Sequence, residues 1–330
     1  MKKGIDQIMS SIHVVKLPIN FNTPFKTRIN QAQPLSAMLS RRENIFPSLY
    51  NYFYTLTYSA ADNSVGVDPL DFWFPSDYFT RLTTAMPYDV LNLNTIIDII
   101  EKMLKLNYYC VGDFNIKYIS GIESFQKNNF NNRFMLFGYD RKHQLLSSCG
   151  LDYNGDLKEI EIKIDDFYQA VINSDLEKLF LHFFLFDSSL QPNIFDYSKF
   201  YREIDIYINS NEPDSGRGVA YKLIDDLQIN EGKNINICKR NITAFCECAE
   251  FMNERLKYLS SSSVHFSNAA DEYYKITLST KKLRGMFFSC KVWDKRTTGE
   301  IVNLINGISE SQLEVFNKIS RSLKLSSKSK

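Results

Sequence analysis

The sequence predicts an α+β protein. Three observations carry that reading. A strong amphipathic helix near residue 94 is followed by several short apolar or alternating segments. Those segments are separated by turn chemistry rather than by further helices. From about residue 214 onward the pattern turns almost wholly helical. Helices gathered at one side of an antiparallel sheet, instead of alternating with strands, are the mark of this class.

Taken in order, residues 1–40 read as irregular, with Pro18, Pro24 and Pro34 spaced through polar sequence. "PSLYNYFYTLTYSA" (47–60) reads as the first helix. Pro47 suits a first helical position, and Leu49, Phe53, Leu56 and Thr57 share one face. "VGVDPLDFWFPSDYFTRL" is broken by Pro69 and Pro75 and reads as loop or short helix. "NLNTIIDIIEKMLKLN" is amphipathic, with Asn94 as N-cap and Ile96, Ile97, Ile100, Met103 and Leu104 as its buried stripe.

"YYCVGDF", "FMLFGYD", "HQLLSSCGLD" and the strictly alternating "LKEIEIKI" read as four strands. Gly138-Tyr139-Asp140 and Asn154-Gly155 supply reversal chemistry between the last three. "DDFYQAVIN" reads as a helix capped by Asp165 or Asp166, and "REIDIYINS" as one more strand. The long patterns "NITAFCECAEFMNERLKYLS", "VHFSNAADEYYKITLSTKKLRGMFFSCKVWDK" and "TGEIVNLINGISESQLEVFNKISRSL" complete a helical region. The expected divisions are an irregular segment 1–40, an α+β domain 41–210, a helical region 211–322 and a flexible tail 323–330.

Bulk properties exclude several function classes. Lys and Arg total 39 against 38 Asp and Glu, a formal net charge of +1, so nothing electrostatic points to nucleic acid or an anionic membrane. No apolar run approaches the roughly 18 residues of a membrane span, and the N-terminus lacks the apolar core of a secretory signal. Six cysteines without a CxxC pair or nearby histidines suggest free thiols, a cytoplasmic setting and no metal site. No Gly-rich phosphate loop or HExxH motif is present, and no cofactor is expected.

The order "IDIIEKMLKLNYYCVGDF", "YISG", "RFMLFGYD", "QLLSSCGLD", "EIEIKIDDFYQAV" resembles the papain-like domain of the butirosin-biosynthesis acyltransferase family. These are bacterial natural-product proteins related to the cysteine peptidases that trim bacteriocin leaders. The likeness runs over roughly residues 40–325. It implies a papain-like core, an N-terminal helix packed on an antiparallel sheet, followed by the helical region. It also implies acyl or aminoacyl transfer from a carrier-protein thioester. A cysteine at the first helix is the nucleophile, a histidine heading the "GYD" strand is its base, and an acid on the next strand orients the imidazole.

Carried over residue by residue, this machinery is missing. The three positions fall on Ser48, Arg133 and Ser148. Ser48 reads as a helix cap or a substitute nucleophile, but Arg133 stays protonated and cannot serve as its base. Arg133 reads as half of an ion pair or as an anion binder for a carboxylate or a phosphopantetheine phosphate. Cys149, with His143 as base, is a relocated nucleophile or a core residue. Asp113 matches a family position that structures an adjoining loop, or starts a turn. Tyr139 and Asp140 sit where strand becomes turn and join Arg133 and Asp113 as candidate ligand contacts.

The resemblance therefore implies a catalytically degenerate protein of natural-product assembly that binds a carrier-bound acyl or peptidyl intermediate or a partner enzyme. The alternatives are an active transferase with a relocated nucleophile, and a subunit paired through its helical region with an active paralogue or a second copy.

Overall fold

The computed structural model describes residues 14–23, 29–41, 50, 55–59, 64–68, 79–87, 92–122, 125–127, 129–151, 157–174, 176–187, 195–209, 216–230, 235–262, 266–290 and 294–327. In chain order its elements begin β1 (Val14–Lys16), α1 (Ile29–Leu39), β2 (Thr55–Ser59), β3 (Ser64–Asp68), β4 (Phe79–Pro87), α2 (Leu93–Lys105) and β5 (Tyr108–Asn115). Then come β6 (Asn131–Asp140), β7 (Leu145–Leu151), β8 (Leu157–Lys163), α3 (Ile164–Ile172) and β9 (Lys178–Phe186). The helices α4 (Tyr197–Asn209), α5 (Arg217–Asn230), α6 (Ile235–Ser262), α7 (Ser267–Ser289) and α8 (Lys295–Ser327) follow. The protein is thus α+β, and no described helix is long and apolar enough to cross a membrane.

The chain divides into two compact units, Met1–Ile45 with Phe72–Pro192, and Phe46–Asp71 with Asn193–Lys330. This division differs from the sequence boundary at 210, because 46–71 and 193–210 belong with the C-terminal helices.

The first unit is built on a seven-stranded sheet in the order β4-β9-β5-β6-β7-β8, with β1 also on β6. Every pairing in it is antiparallel. β7 occupies one edge of β6 from Met135 to Asp140, so β1 must take the other edge, beyond the point where β5 stops at Leu136. Between Leu136 and Gly138 the β6–β7 register shifts by a bulge. A Cβ on Gly138 would lie 3.0 Å from the Ser147 Cβ and 3.2 Å from the Val15 carbonyl oxygen, which is the close backbone approach a strand glycine permits.

Side chains alternate along each strand, so the pairing sorts the sheet into two faces. One carries Phe114, Phe134, Leu136, Leu146 and Ile160. It is covered by α2 and α3, with Phe114 edge-on to Phe167 at 4.9 Å. α2 buries Ile96, Ile97, Ile100 and Leu104 of the expected stripe, while Met103 is only half-buried. Its N-cap is Asn92, not Asn94, and the Asn92 side chain accepts from the Asn94 amide at 2.9 Å. The helix stops where Asn107 turns left-handed at φ 66°. Asp165 and Asp166 lie inside the first turn of α3, not at its cap, where their charge complements the helix dipole.

Gly112 lies on this packed face. A Cβ there would come 2.5 Å from the Phe114 ring, which is itself wedged against Phe134 and Phe167. We expect Gly112→Ala to lower unfolding stability by about 1–3 kcal/mol, the usual cost of overpacking, read as a lower denaturant midpoint.

Several expectations are corrected. Residues 1–40 are not irregular throughout: 29–39 form α1, although Pro34 lies inside it. Proline removes an internal hydrogen bond and ordinarily ends such a run. Here burial compensates, since Ala32, Leu35, Ala37 and Met38 are fully buried. α1 is the helix that packs on β6 and β7, in place of the one expected at 47–60. In that expected helix, Thr55–Ser59 is instead a strand paired with Ser64–Asp68. Alternating β-branched and aromatic residues suit a pleated ribbon. β4 and β9 were not expected as strands.

The second unit packs α4–α8 with the β2–β3 hairpin. Of "REIDIYINS", residues 202–209 are helical, within α4, not a strand. Its apparent alternation coexists with a helical pair, Phe200 and Ile204, which are the buried positions. Arg255 of α6 is fully buried. Its guanidinium lies 4.3 Å from the Phe200 ring centroid and 5.4 Å from that of Phe195, and its Nη1 donates to Glu203 Oε2 at 3.0 Å. Burial pushes the Glu203 carboxyl up to about 7 despite the opposing charge of Arg255. Nearby, Tyr207 donates to Gln312 at 2.8 Å, and Gln312 donates to Tyr273 at 2.7 Å.

Candidate functional site

The second face of the sheet carries three of the residues singled out from the sequence, Asp113, Arg133 and Cys149. Antiparallel pairing sets Asp113 directly opposite Arg133, and Arg133 Nε donates to Asp113 Oδ1 at 3.2 Å. The ion-pair reading of Arg133 is thus realised, with Asp113 as a strand residue rather than a turn starter. Both side chains are partly exposed, so the pair is worth about 1 kcal/mol or less.

The same face continues through β9 and β4. Val111 pairs with His182, and His182 with Thr83. Arg81 Nη2 lies 3.0 Å and Thr83 Oγ1 2.9 Å from His182 Nδ1. A guanidinium can only donate, so Nδ1 accepts and the imidazole proton sits on Nε2. Burial, then Arg81 and Arg133, bring His182 down to about 4, against the pull of Asp113. At neutral pH the five side chains therefore comprise two guanidinium groups, one carboxylate, a neutral imidazole and a hydroxyl. The imidazole lone pair on Nδ1 is engaged by Arg81 and Thr83.

Gln33 and Ser36 stitch α1 to this face. Gln33 Nε2 donates to the carbonyl oxygens of Arg133, at 3.1 Å, and Cys149, at 3.0 Å. The β6–β7 ladder begins only at Met135 and Cys149, so the carboxamide takes over where strand pairing stops. Ser36 Oγ lies 3.8 Å from Cys149 Sγ.

The remaining candidates are dispersed. Ser148 is fully buried, bonded to the Met135 carbonyl oxygen, and points to the face opposite Arg133. A period of two along the strand forbids these two triad positions from sharing one site. Cys149 does share the Arg133 face, but burial pushes its thiol up to about 12, which denies it thiolate character. His143 is exposed in the turn after β6. Its Nδ1 and backbone amide both bond Asp140, at 2.7 and 3.0 Å, which holds that carboxyl below its usual range. Cys149 and His143 are not hydrogen-bonded to each other. Tyr139 is buried on the opposite face, with its hydroxyl at 3.4 Å from Gln144 Nε2. Asp140 and Tyr139 thus close a turn and do not join Arg133 in a ligand site. Ser48 lies outside the described residues.

Sequence reasoning missed Gln33, Arg81, Thr83 and His182. The only signal was a histidine inside the aromatic run "KLFLHFFLF". A separate cavity of about 550 Å³ in the second unit is lined by Gln228, Asp294, Lys295, Thr298, Gly299, Val302 and Asn303, none of them a candidate from the sequence. Among the described residues no cluster of His, Cys, Asp and Glu could hold a metal. No family model matches the chain, and no curated protein matches it.

Proposed function

We propose that the protein is a non-catalytic binding member of the papain-like lineage. In this reading it serves natural-product assembly by holding a carrier-tethered acyl or peptidyl intermediate. The anionic part of that ligand, a phosphopantetheine phosphate, meets the Arg81–His182–Arg133 face. One observation carries the reading: where the resemblance expects a base there is a guanidinium, joined by a second one. The neighbouring imidazole spends its lone pair on Arg81. Such a face attracts an anion and cannot activate a nucleophile. The helix laid over β6 and β7 beside it supports the papain-like part of the reading.

Calorimetry of the full chain with pantetheine 4′-phosphate and with pantetheine tests this. The phosphorylated compound should bind at least about tenfold more tightly, and Arg81→Ala or Arg133→Ala should each remove about a tenfold factor, as charge-assisted hydrogen bonds do. Equal binding of the two compounds would refute the anion site. Intact mass after incubation with an acyl-thioester analogue should show no adduct. An adduct abolished by Ser48→Ala or Cys149→Ala would replace this reading with the active transferase.

A further inference from the structure

The outward face of α7 has a composition that the helical region does not otherwise need. Tyr274, Leu278 and Phe288 are 46%, 48% and 54% exposed. Together with the exposed Lys275, Lys281, Lys282 and Gly285 they fall at helical spacing along one stripe. From Tyr274 to Phe288 the stripe runs about 21 Å at 1.5 Å per residue. Lysines from the adjoining helix close both ends. Lys257 Nζ sits 5.8 Å from the Tyr274 ring centroid, and Lys239 Nζ 5.7 Å from that of Phe288. A Cβ on Gly285 would meet nothing within 4 Å, so the stripe dips between Leu278 and Phe288.

Tyr274, Leu278 and Phe288 therefore share one exposed helix face instead of being scattered singly over the surface. Its flanks decide what fits. Lys275, Lys281 and Lys282 lie within the stripe, and Lys239 and Lys257 lie at its ends. A second copy docked about a two-fold axis near the stripe's centre would set Lys281 and Lys282 against their own equivalents, a like-charge contact that costs affinity. A partner with carboxylates flanking an apolar seam meets every one of these features.

We propose that the α7 stripe is a docking surface for an acidic amphipathic helix of a partner protein. The partner's apolar seam lies over Leu278 and Gly285 between the Tyr274 and Phe288 rings, and its carboxylates reach Lys239, Lys275, Lys281 and Lys282, while Lys257 is already paired with Glu254 at 2.7 Å. This is helix-against-helix recognition with apolar anchors and a charged rim. It stands whether or not the first unit binds an anion.

Fluorescence anisotropy of the full chain with a labelled, stapled Leu/Glu amphipathic helix is the test. A Leu/Lys helix of the same seam is the control. The acidic helix should bind with a dissociation constant at or below about 100 µM, which corresponds to about 5.5 kcal/mol. The basic one should bind at least tenfold more weakly. Lys281→Glu with Lys282→Glu should remove most of that preference, and Leu278→Ser should weaken both peptides. These positions are exposed, so unchanged thermal melts will show that the variants fold. No binding of the acidic helix, or equal binding of both peptides, overturns the proposal. So does sedimentation of the chain with phosphatidylglycerol vesicles that the double variant abolishes, since the stripe would then serve an anionic bilayer. A concentration-dependent dimer that Leu278→Ser dissolves would likewise overturn it in favour of a second copy.

Discussion

Arg255→Ala should lower unfolding stability by about 3–5 kcal/mol, enough to unfold a marginal unit. The guanidinium is fully buried between two aromatic rings and bonded to Glu203. Its removal leaves a carboxyl in apolar surroundings without its nearest positive charge, and leaves Phe195 and Phe200 facing a void. Arg255→Met keeps most of the volume. Paired with Glu203→Leu, it should recover most of the loss, because an apolar pair carries no desolvation penalty. Urea unfolding of the single and double variants separates the charge from the packing.

The same pair predicts a pH dependence. Glu203 is raised from 4.5 to about 7 in the folded chain, chiefly by burial. Between those values the folded state holds the proton and the unfolded state does not. This group's contribution is therefore fully present below about 4.5 and is lost as pH rises through about 7. Glu203→Gln should flatten that decline in urea midpoint between pH 5 and pH 8. An unchanged slope would show that Glu203 is not responsible.

Gln33→Ala should be the most damaging polar substitution in the first unit, at about 2–4 kcal/mol. Its one side-chain nitrogen satisfies two carbonyl oxygens, those of Arg133 and Cys149, at a buried site. Each carbonyl left without a donor costs about 1–3 kcal/mol. Gln33→Met, similar in length but without a donor, should be nearly as harmful. That outcome would distinguish the lost hydrogen bonds from lost volume. Hydrogen exchange should show the loss concentrated in α1 and in the ends of β6 and β7 that Gln33 joins, with α2 and α3 little affected.

What could be read from residues alone follows how far apart the interacting groups lie. The stripe of α2 and the alternation of "LKEIEIKI" are local patterns, and both elements formed as read. α1 was hidden by Pro34, whose local penalty is overridden by burial. "REIDIYINS" was misread because a five-residue alternation can also be met by a helix that buries only Phe200 and Ile204. Arg133 drew notice only through the family resemblance. Its partner Asp113, 20 residues away, depended on a register that no local pattern encodes.

From the amino-acid order by itself came the class of the protein, the strands β5 to β8, and the absence of a base at position 133. These are properties of side-chain type and short-range periodicity. Which residues face one another was decided only by the tertiary structure. Arg81 meets His182 across 101 residues of chain, and Gln33 meets Cys149 across 116. The alternation of the strand sends Ser148 and Cys149 to opposite faces, and long-range pairing alone decides which of the two stands beside Arg133.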